Sequence, residues 1–352
     1  MPAWWDRRSK NSRAQIRFGE GPIAFLDAFP LLAASRQRSH ALLKELASVC
    51  VADREMLAPV ACIAAAGSLG RLEAGDGSDL DAIVILRESV APEAVAVALD
   101  KLWQAAAGVG LRIPKAEGIY RDGVTPAALV DRDALGSLDE PPGVFGKRMQ
   151  LLLDARPLFG MHDFQQLRES VFAWYMSPRA GLGARDPWEY LVNDLVRYAC
   201  AYTNWQRAKF NRSDTDSWAL RQVKLRSTRF VTWLGLWLLV WDARESNGDA
   251  VTQVRERLAL TPLERIVLVL GADFSAPLRE FVALYEAVIA RLFDAEVRAR
   301  LVASNRPVVV MPDDDYDELM GQCDAMRDVI DAILAARFCR RRSRQHSVLL
   351  PF

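Results

Sequence analysis

The pattern of apolar and polar positions changes its period near residue 60. Residues 22–58 carry apolar side chains at helical spacing and predict a helix. The short apolar segment Ala61–Ala66 and the β-branched run Leu80–Leu86 predict two strands instead. Glycines and polar residues fill the stretch 67–78 between them, so we expect the order strand, connection, strand in this part of the chain.

Helical spacing dominates the rest of the chain, with one further strand-like segment. We expect a helix at Pro92–Gly108, a third strand at Leu111–Tyr120 and a helix at Lys147–Phe159. Two prolines and two glycines among mixed charges mark Ser177–Pro187 as a connection between domains. The segments with helical spacing beyond it are Trp188–Arg212, Trp218–Arg244, Thr252–Leu258, Pro262–Leu270, Ala276–Ala303 and Asp314–Arg337.

The length of 352 residues indicates two domains, because a single core of that size is uncommon. We expect the fold class α+β, with an N-terminal helix and a small sheet domain over residues 1–177. An all-α helical bundle is expected over residues 188–338. Four arginines make the last segment, 339–352, a basic and flexible tail.

Composition and charge exclude several classes of protein. The 45 basic residues balance 45 acidic ones, so the chain lacks the footprint of a dedicated double-stranded-DNA binder. The longest apolar run, Phe230–Trp241, is shorter than the roughly 20 residues of a membrane helix, and it predicts a buried helix and no membrane partner. A polar N-terminus without an apolar signal segment predicts a cytoplasmic location. Five cysteines without a CxxC pair and only three histidines disfavour a zinc site.

The start of the second strand carries two carboxylates that suggest metal chemistry. Asp79 and Asp81 are two positions apart, and side chains alternate along a strand, so both carboxylates project from one face. Such a pair suits a hard divalent cation that also bridges to phosphates. Upstream, Gly67 lets a phosphate approach the backbone, and Ser68 supplies a hydroxyl donor.

These residues belong to a longer pattern. The string Gly-Ser-x-Gly-Arg-x-Glu spans 67–73, and Ser-Asp-x-Asp spans 78–81 before the hydrophobic strand. The pattern resembles the signature of the DNA-polymerase-β-like nucleotidyltransferase superfamily, and more narrowly the branch that contains the PII-protein uridylyltransferases. The resemblance implies a small mixed sheet and Mg²⁺ or Mn²⁺ as cofactor. It also implies transfer of a nucleoside monophosphate from a nucleoside triphosphate to an acceptor hydroxyl, with release of pyrophosphate.

The resemblance assigns roles to the residues that match the motif. Gly67 and Ser68 would hold the triphosphate of the nucleotide. Asp79 and Asp81 would be catalytic and would hold the metal ions. Arg71 would contact the nucleotide or brace the loop through an ion pair with the glutamate two residues later.

A third carboxylate is also implied, on a neighbouring strand, where it would hold metal and help to deprotonate the acceptor. Glu117 is the first candidate for this catalytic and metal-binding acid, and Asp122 and Asp100 are the alternatives. A later segment, Leu151–Gly160, also resembles this branch. Within it, Asp154 and Arg156 form either a structural ion pair or a contact to substrate.

The helical half contributes candidate nucleotide-binding residues. Asn193 and Arg197 lie one turn apart on one predicted helix, and Lys224 lies on the next. Arg221, Lys224 and Thr228 share one face of that helix. We therefore expect a cationic stripe that faces the triphosphate across a cleft between the two domains. The sequence around these residues also resembles that of the helical domain in the same branch.

The sequence leaves the identity of the nucleotide and of the acceptor open. The acceptor is a protein, an RNA end or a small molecule. Two alternatives to an enzyme remain: a nucleotide-binding regulatory module with an incomplete catalytic centre, and a non-catalytic interaction protein that uses its helical domain.

Overall fold

The structure is a computed structural model that describes residues 21–113, 120–134, 137, 139–176, 188–212, 218–245, 249–303 and 314–341. The expected connection at Ser177–Pro187 lies outside these residues. The candidate acid Glu117 and the chain beyond Arg341 lie outside them as well.

The first half of the chain alternates helices with three short strands. In chain order these are α1 (Pro22–Asp27), α2 (Pro30–Ala52), β1 (Val60–Ala66), α3 (Gly67–Gly70), β2 (Asp81–Leu86), α4 (Pro92–Gly108), α5 (Pro126–Leu129), α6 (Pro142–Leu153), β3 (Arg156–Phe159) and α7 (Met161–Met176). The two predicted strands are confirmed to within one residue. The single helix predicted over 22–58 is wrong, because Pro30 has no amide hydrogen and begins a new helix after Phe29.

The three strands form one antiparallel sheet in the order β2-β1-β3. Ala66 at the end of β1 pairs with Asp81, and Ala65 pairs with Arg156. The end of β1 and the starts of β2 and β3 therefore meet at one edge. We expected a mixed sheet, but all three strands pair in antiparallel fashion. Parallel pairing among the described residues is limited to two isolated bridges, Asp79 to Arg112 and Ile85 to Val124.

The third strand differs from the predicted one. Residues 111–113 contribute a single bridge, and 114–119 lie outside the described residues. The helix predicted through Phe159 ends at Leu153, and β3 follows. Arg156 precedes Pro157, and the residue before a proline favours an extended backbone, so the chain leaves the helix here.

The second half of the described chain is helical. It contains α8 (Glu189–Arg212), α9 (Trp218–Lys224), α10 (Phe230–Glu245), α11 (Ala250–Arg257), α12 (Pro262–Phe293), α13 (Ala295–Ala303) and α14 (Asp314–Arg341). A π turn, Leu225–Arg229, joins α9 to α10. The predicted break after Leu270 is only a kink at Phe274. The true break falls at Asp294, whose carboxylate accepts hydrogen bonds from the Glu296 and Val297 amides at 2.8 and 3.0 Å.

One cluster of buried side chains extends through both halves of the described chain, and a second, separate cluster packs on the other face of the sheet. Phe164 of α7, Trp233 of α10 and Phe281 of α12 belong to one cluster of buried side chains. The predicted buried helix at 230–241 is confirmed. Among the described helices, none combines the length and the apolar composition needed to cross a bilayer. The fold is α+β, mostly helical with one small sheet.

The final helix extends further than expected. Helix α14 continues to Arg341, three residues into the segment predicted to be a flexible tail. Arg337, near its end, is buried and pairs with Asp242 at 2.6 Å. It also donates a hydrogen bond to the Val269 carbonyl at 3.2 Å. Helix α14 therefore docks its last turns on α10 and α12.

Candidate active site

The end of β1 and the start of β2 bring Gly67 and Asp81 together. Gly67 follows β1 with a φ angle of +66°, a conformation that favours glycine. A Cβ atom built on Gly67 would overlap the Asp81 carboxylate. Glycine is therefore required here both for its backbone conformation and for the space that the aspartate occupies.

The loop before the aspartate pair is held by two serines. Ser68 Oγ lies 3.5 Å from Ser78 Oγ, which accepts a hydrogen bond from the Gly75 amide at 3.0 Å. Ser39 Oγ of α2 accepts a second hydrogen bond, from the Ala74 amide at 2.9 Å. These hydrogen bonds fix the loop that leads to Asp79 and Asp81. They also hold the two serines of the motif, Ser68 and Ser78, close to each other.

The two aspartates of the motif make no direct ion pair with any side chain that the structure describes. Asp79 is exposed and Asp81 is partly buried, and neither side chain makes a hydrogen bond or ion pair with a described residue. Burial raises the pKa of the Asp81 carboxyl, and the charge of Asp79 raises it further. Arg229 and Arg71 oppose this shift. The pair is therefore a site where additional positive charge would be favourable.

A third carboxylate does not join this pair in the part of the chain that the structure describes. There, no group of three or more His, Cys, Asp or Glu side chains is placed to hold a metal ion. Asp100 and Asp122 are exposed and do not complete such a group. Both alternatives to Glu117 are thus disfavoured, and Glu117 lies outside the described residues.

Two cations from the helical half act on the aspartate pair. Lys224 ends α9 and Arg229 ends the π turn, whose i→i+5 bonding brings residues five apart toward one face. Burial lowers the pKa of Lys224 to about 8, and Arg298 lowers it as well, while Asp79 opposes the shift. The Arg229 guanidinium lies 5.0 Å from the centre of the Tyr202 ring. The expected cationic face is present at Lys224, with Arg229 beside it.

The other members of the predicted stripe make hydrogen bonds within the helical half. Arg221 donates a hydrogen bond to the Gln206 carbonyl at 3.1 Å. Thr228 is buried and donates to the Lys224 carbonyl at 3.3 Å. The predicted stripe assumed a regular helix, and the π turn changes the phase of the residues after Lys224.

Arg71 is a buried bracing residue in this structure. Its Nε donates to Glu73 at 2.7 Å, and its terminal nitrogen donates to Asp154 at 3.1 Å. The Tyr285 hydroxyl of α12 donates to the other Glu73 oxygen at 2.8 Å. The structure favours the bracing role that the sequence had left open and leaves Arg71 no exposed surface for a nucleotide.

The Asp154 and Arg156 ion pair considered for the later segment is wrong. Asp154 pairs with Arg71, and its second carboxylate oxygen is buried without a hydrogen-bond partner in the described structure. Arg156 instead donates to the Gly70 carbonyl at 3.0 Å. Asp154 directly follows α6, and Arg156 begins β3. Both side chains contact the C-terminal end of helix α3, at Arg71 and Gly70 respectively.

Asn193 and Arg197 occupy different surroundings on α8. Asn193 is exposed. Arg197 donates to the Ser137 carbonyl at 2.7 Å and to Glu140 at 2.9 Å, and its guanidinium lies 3.9 Å from the centre of the Phe145 ring. The structure thus places Arg197 in a structural ion pair and brings neither residue into the contacts that surround the aspartates.

Three site residues were missed by the sequence reasoning. Tyr120, Arg112 and Arg298 lie within electrostatic reach of Asp79 or Asp81. The bridge between Asp79 and Arg112 had a partial signal in the expected third strand. Arg298 had none, because its position depends on packing between helices that are distant along the chain.

Comparison with known proteins adds no assignment to this geometry. No protein-family model matches the chain, and no curated protein is significantly similar to it.

Proposed function

We propose that the chain is a metal-dependent nucleotidyltransferase with a polymerase-β-like arrangement at the edge of its sheet. It would transfer a nucleoside monophosphate from a nucleoside triphosphate to an acceptor hydroxyl and release pyrophosphate. One observation carries the proposal: Gly67, Asp79 and Asp81 meet at one sheet edge, and neither carboxylate forms an ion pair with a described side chain. Cations of the helical half lie opposite.

The residues present fit a divalent cation. Two carboxylates share one edge, and the charge of one disfavours ionisation of the other. Bound Mg²⁺ or Mn²⁺ would neutralise charge on the transferred phosphoryl group and would lower the pKa of an acceptor hydroxyl. Asp79 and Asp81 would hold it, with Glu117 as the candidate third ligand.

The chain's own groups account for binding and orientation. The Ser68 hydroxyl, which is half-buried beside Ser78, would donate to the phosphate oxygens of the nucleotide. Lys224 adds a positive charge from the helical half of the chain. Because nucleotidyl transfer relies mainly on positioning and charge neutralisation, this set supports the reaction.

A second candidate function is favoured by the incomplete group of acids. Only two carboxylates of the described residues lie at the site. The site therefore also suits a regulatory module that binds nucleotide without transferring it. The two functions differ in one measurable property, the release of pyrophosphate.

The test incubates the protein with each of the four α-labelled nucleoside triphosphates, Mg²⁺ or Mn²⁺, and cell extract. We expect label on a discrete protein, RNA or small molecule, together with pyrophosphate. Asp81→Asn is expected to abolish transfer while nucleotide affinity stays within about tenfold, because these carboxylates act mostly in the transition state. Asp100→Asn, at an exposed acid of α4, is the matched control. Nucleotide binding without pyrophosphate release in any condition would favour the regulatory module.

A further inference from the structure

A groove opens at the end of the sheet that lies opposite the aspartate pair. It is formed where β1 begins, where β3 ends and where the chain leaves β2 at Arg87. The length of β1 separates this groove from Gly67, which corresponds to about 20 Å at the usual rise of a strand. The groove is therefore a separate site from the one at Asp79 and Asp81.

The groove has the size and the apolar lining of a small-molecule site. Its volume is about 390 Å³, within the usual range of ligand pockets. Val51 from the last turn of α2, Leu158 of β3 and Met161 at the start of α7 contribute apolar side chains to it. Val51 is 59% exposed and Met161 is 56% exposed. An apolar group bound in the groove would remove part of this surface from water, which is favourable.

Two opposite charges complete the lining. Arg87 and Asp163 are the charged residues among those that line the groove. Arg87 Nη2 and Asp163 Oδ2 lie 3.9 Å apart, which is too far for a hydrogen bond. The Arg87 side chain is held in place because its Nε donates to the Ala58 carbonyl at 3.2 Å.

Both charged groups keep their capacity to bind a ligand. The terminal nitrogens of Arg87 donate no hydrogen bond to a residue that the structure describes, and the Asp163 carboxylate accepts none from one. His162 is exposed and approaches Asp163 only to 3.7 Å. The loose pair therefore offers one positive donor and one negative acceptor, side by side at an apolar groove.

This combination matches a ligand that carries both charges and an apolar side chain. A carboxylate would accept from the Arg87 guanidinium, and an ammonium group would donate to Asp163, because hydrogen bonds between ionised groups are the strong ones. A phosphate would gain Arg87 but would meet the negative charge of Asp163. A wholly apolar ligand would leave both charges without a partner.

We propose that the groove binds a free amino acid with an apolar side chain. Arg87 holds its α-carboxylate, Asp163 holds its α-ammonium group, and its side chain packs against Val51 and Met161. The inference is independent of the proposed function, because no residue of the aspartate site takes part in it.

The test measures binding of L-leucine to the full chain by titration calorimetry, with three analogues as comparisons. Glycine lacks the apolar side chain, isoamylamine lacks the carboxylate, and 4-methylpentanoate lacks the ammonium group. We expect leucine to bind at least about tenfold more tightly than any of the three.

Variants of the two charged residues connect this binding to the groove. Arg87→Gln and Asp163→Asn should each weaken leucine binding by about tenfold or more. Arg300→Gln is the matched control, because Arg300 is also half-exposed and also pairs with a carboxylate, that of Asp315. Thermal melts check that every variant is folded.

Several results would overturn the inference, whether or not nucleotidyl transfer is observed. These are no binding of leucine up to about 10 mM, equal affinity in both folded variants, or an analogue that binds as tightly as leucine. Sedimentation of wild type and of Val51→Glu tests a different occupant, a second copy of the chain. A dimer that Val51→Glu converts into a monomer would assign the groove to self-association instead.

Discussion

Gly67 and Asp81 compete for the same space, so that the aspartate carboxylate lies where a side chain at position 67 would begin. Gly67 directly follows β1 and Asp81 begins β2, and the pairing of Ala66 with Asp81 brings the two residues together. This contact explains why the glycine and the second aspartate of the motif belong together. The glycine allows the acid to stay at the sheet edge without shifting the backbone.

Replacing Gly67 with alanine should therefore damage both the fold and the site. Gly67→Ala adds the strain of a positive φ angle, on the order of 1–2 kcal/mol, and it also displaces the Asp81 carboxylate. Gly77→Ala is the matched control, because Gly77 has a φ angle of +67° with open space around its Cβ position. Urea unfolding and Mn²⁺ titration of both variants make the comparison.

We expect similar backbone strain in the two glycine variants but loss of Mn²⁺ affinity only in Gly67→Ala. Equal Mn²⁺ binding by both variants would show that the position of Asp81 does not depend on Gly67.

The burial of Asp81 predicts that its carboxylate, which the proposed function requires, lowers the stability of the folded protein. A carboxyl whose pKa is raised on folding disfavours the folded state above its unfolded pKa, and the effect disappears as falling pH protonates it in both states. Asp81→Asn should therefore stabilise the metal-free protein at pH 7.5 by about 1–2 kcal/mol. Near pH 4 the variant and wild type should melt at similar temperatures.

Thermal melts at both pH values, with Asp100→Asn as an exposed control, check this prediction. A lower melting temperature of Asp81→Asn at pH 7.5 would mean that the carboxylate stabilises the folded state.

The two strands that meet at the aspartate pair were predicted from the sequence, whereas the strand on the other side of β1 was not. The strands at 61–66 and 80–86 were visible because their apolar runs are bounded by glycine and polar residues. The strand Arg156–Phe159 was not predicted, since it is four residues long and follows a helix with an equally apolar end. Such a short strand exists because β1 offers an edge for pairing, which no local pattern records.

The same limit applies to the helical half of the site. Lys224 was found because its neighbours match a motif, but the π turn that turns Arg229 toward the site was not predicted. Arg298 approaches through the contact of α13 with α9, and hence depends on where the break after Phe293 falls. Side chains that meet only through tertiary packing leave no periodic signal in the sequence.

Lys224 should make nucleotide binding depend on pH. Its pKa of about 8 reflects burial first and the charges of Arg298 and Arg229, against Asp79 and Asp81 on the sheet edge. Burial and the charge of Asp79 raise the pKa of Asp81 to about 7, so this carboxyl completes its ionisation at the lower end of the range between pH 7 and 9. The arginines stay charged throughout, and above pH 8 the main change in charge is therefore the loss of the Lys224 proton. Affinity for a nucleoside triphosphate should therefore fall as the pH rises through about 8.

Calorimetric titrations at several pH values check this dependence. Lys224→Arg should bind with a flatter pH profile, because guanidinium keeps its proton, and Lys224→Met should bind weakly at every pH. A wild-type profile that Lys224→Arg leaves unchanged would assign the pH dependence to another group.

Tyr285 provides the last test, because it links the helical half to the loop of the motif. Its hydroxyl donates to Glu73, which accepts from Arg71, and Arg71 in turn donates to Asp154. All four side chains are buried, so the loss of one donor leaves a charged oxygen unsatisfied and costs about 1–3 kcal/mol. Tyr285→Phe should lower the melting temperature and, through the loop, reduce transfer more than it reduces nucleotide affinity.

A double-mutant cycle distinguishes this link from simple loss of packing. If the hydroxyl acts through Glu73, Tyr285→Phe should add little to the destabilisation already caused by Glu73→Leu, because leucine has no acceptor and both variants remove the same hydrogen bond. Unfolding free energies of the two single variants and the double variant measure this coupling. Strictly additive effects would show that Tyr285 stabilises α12 alone, and that the helical half does not position the loop through this bond.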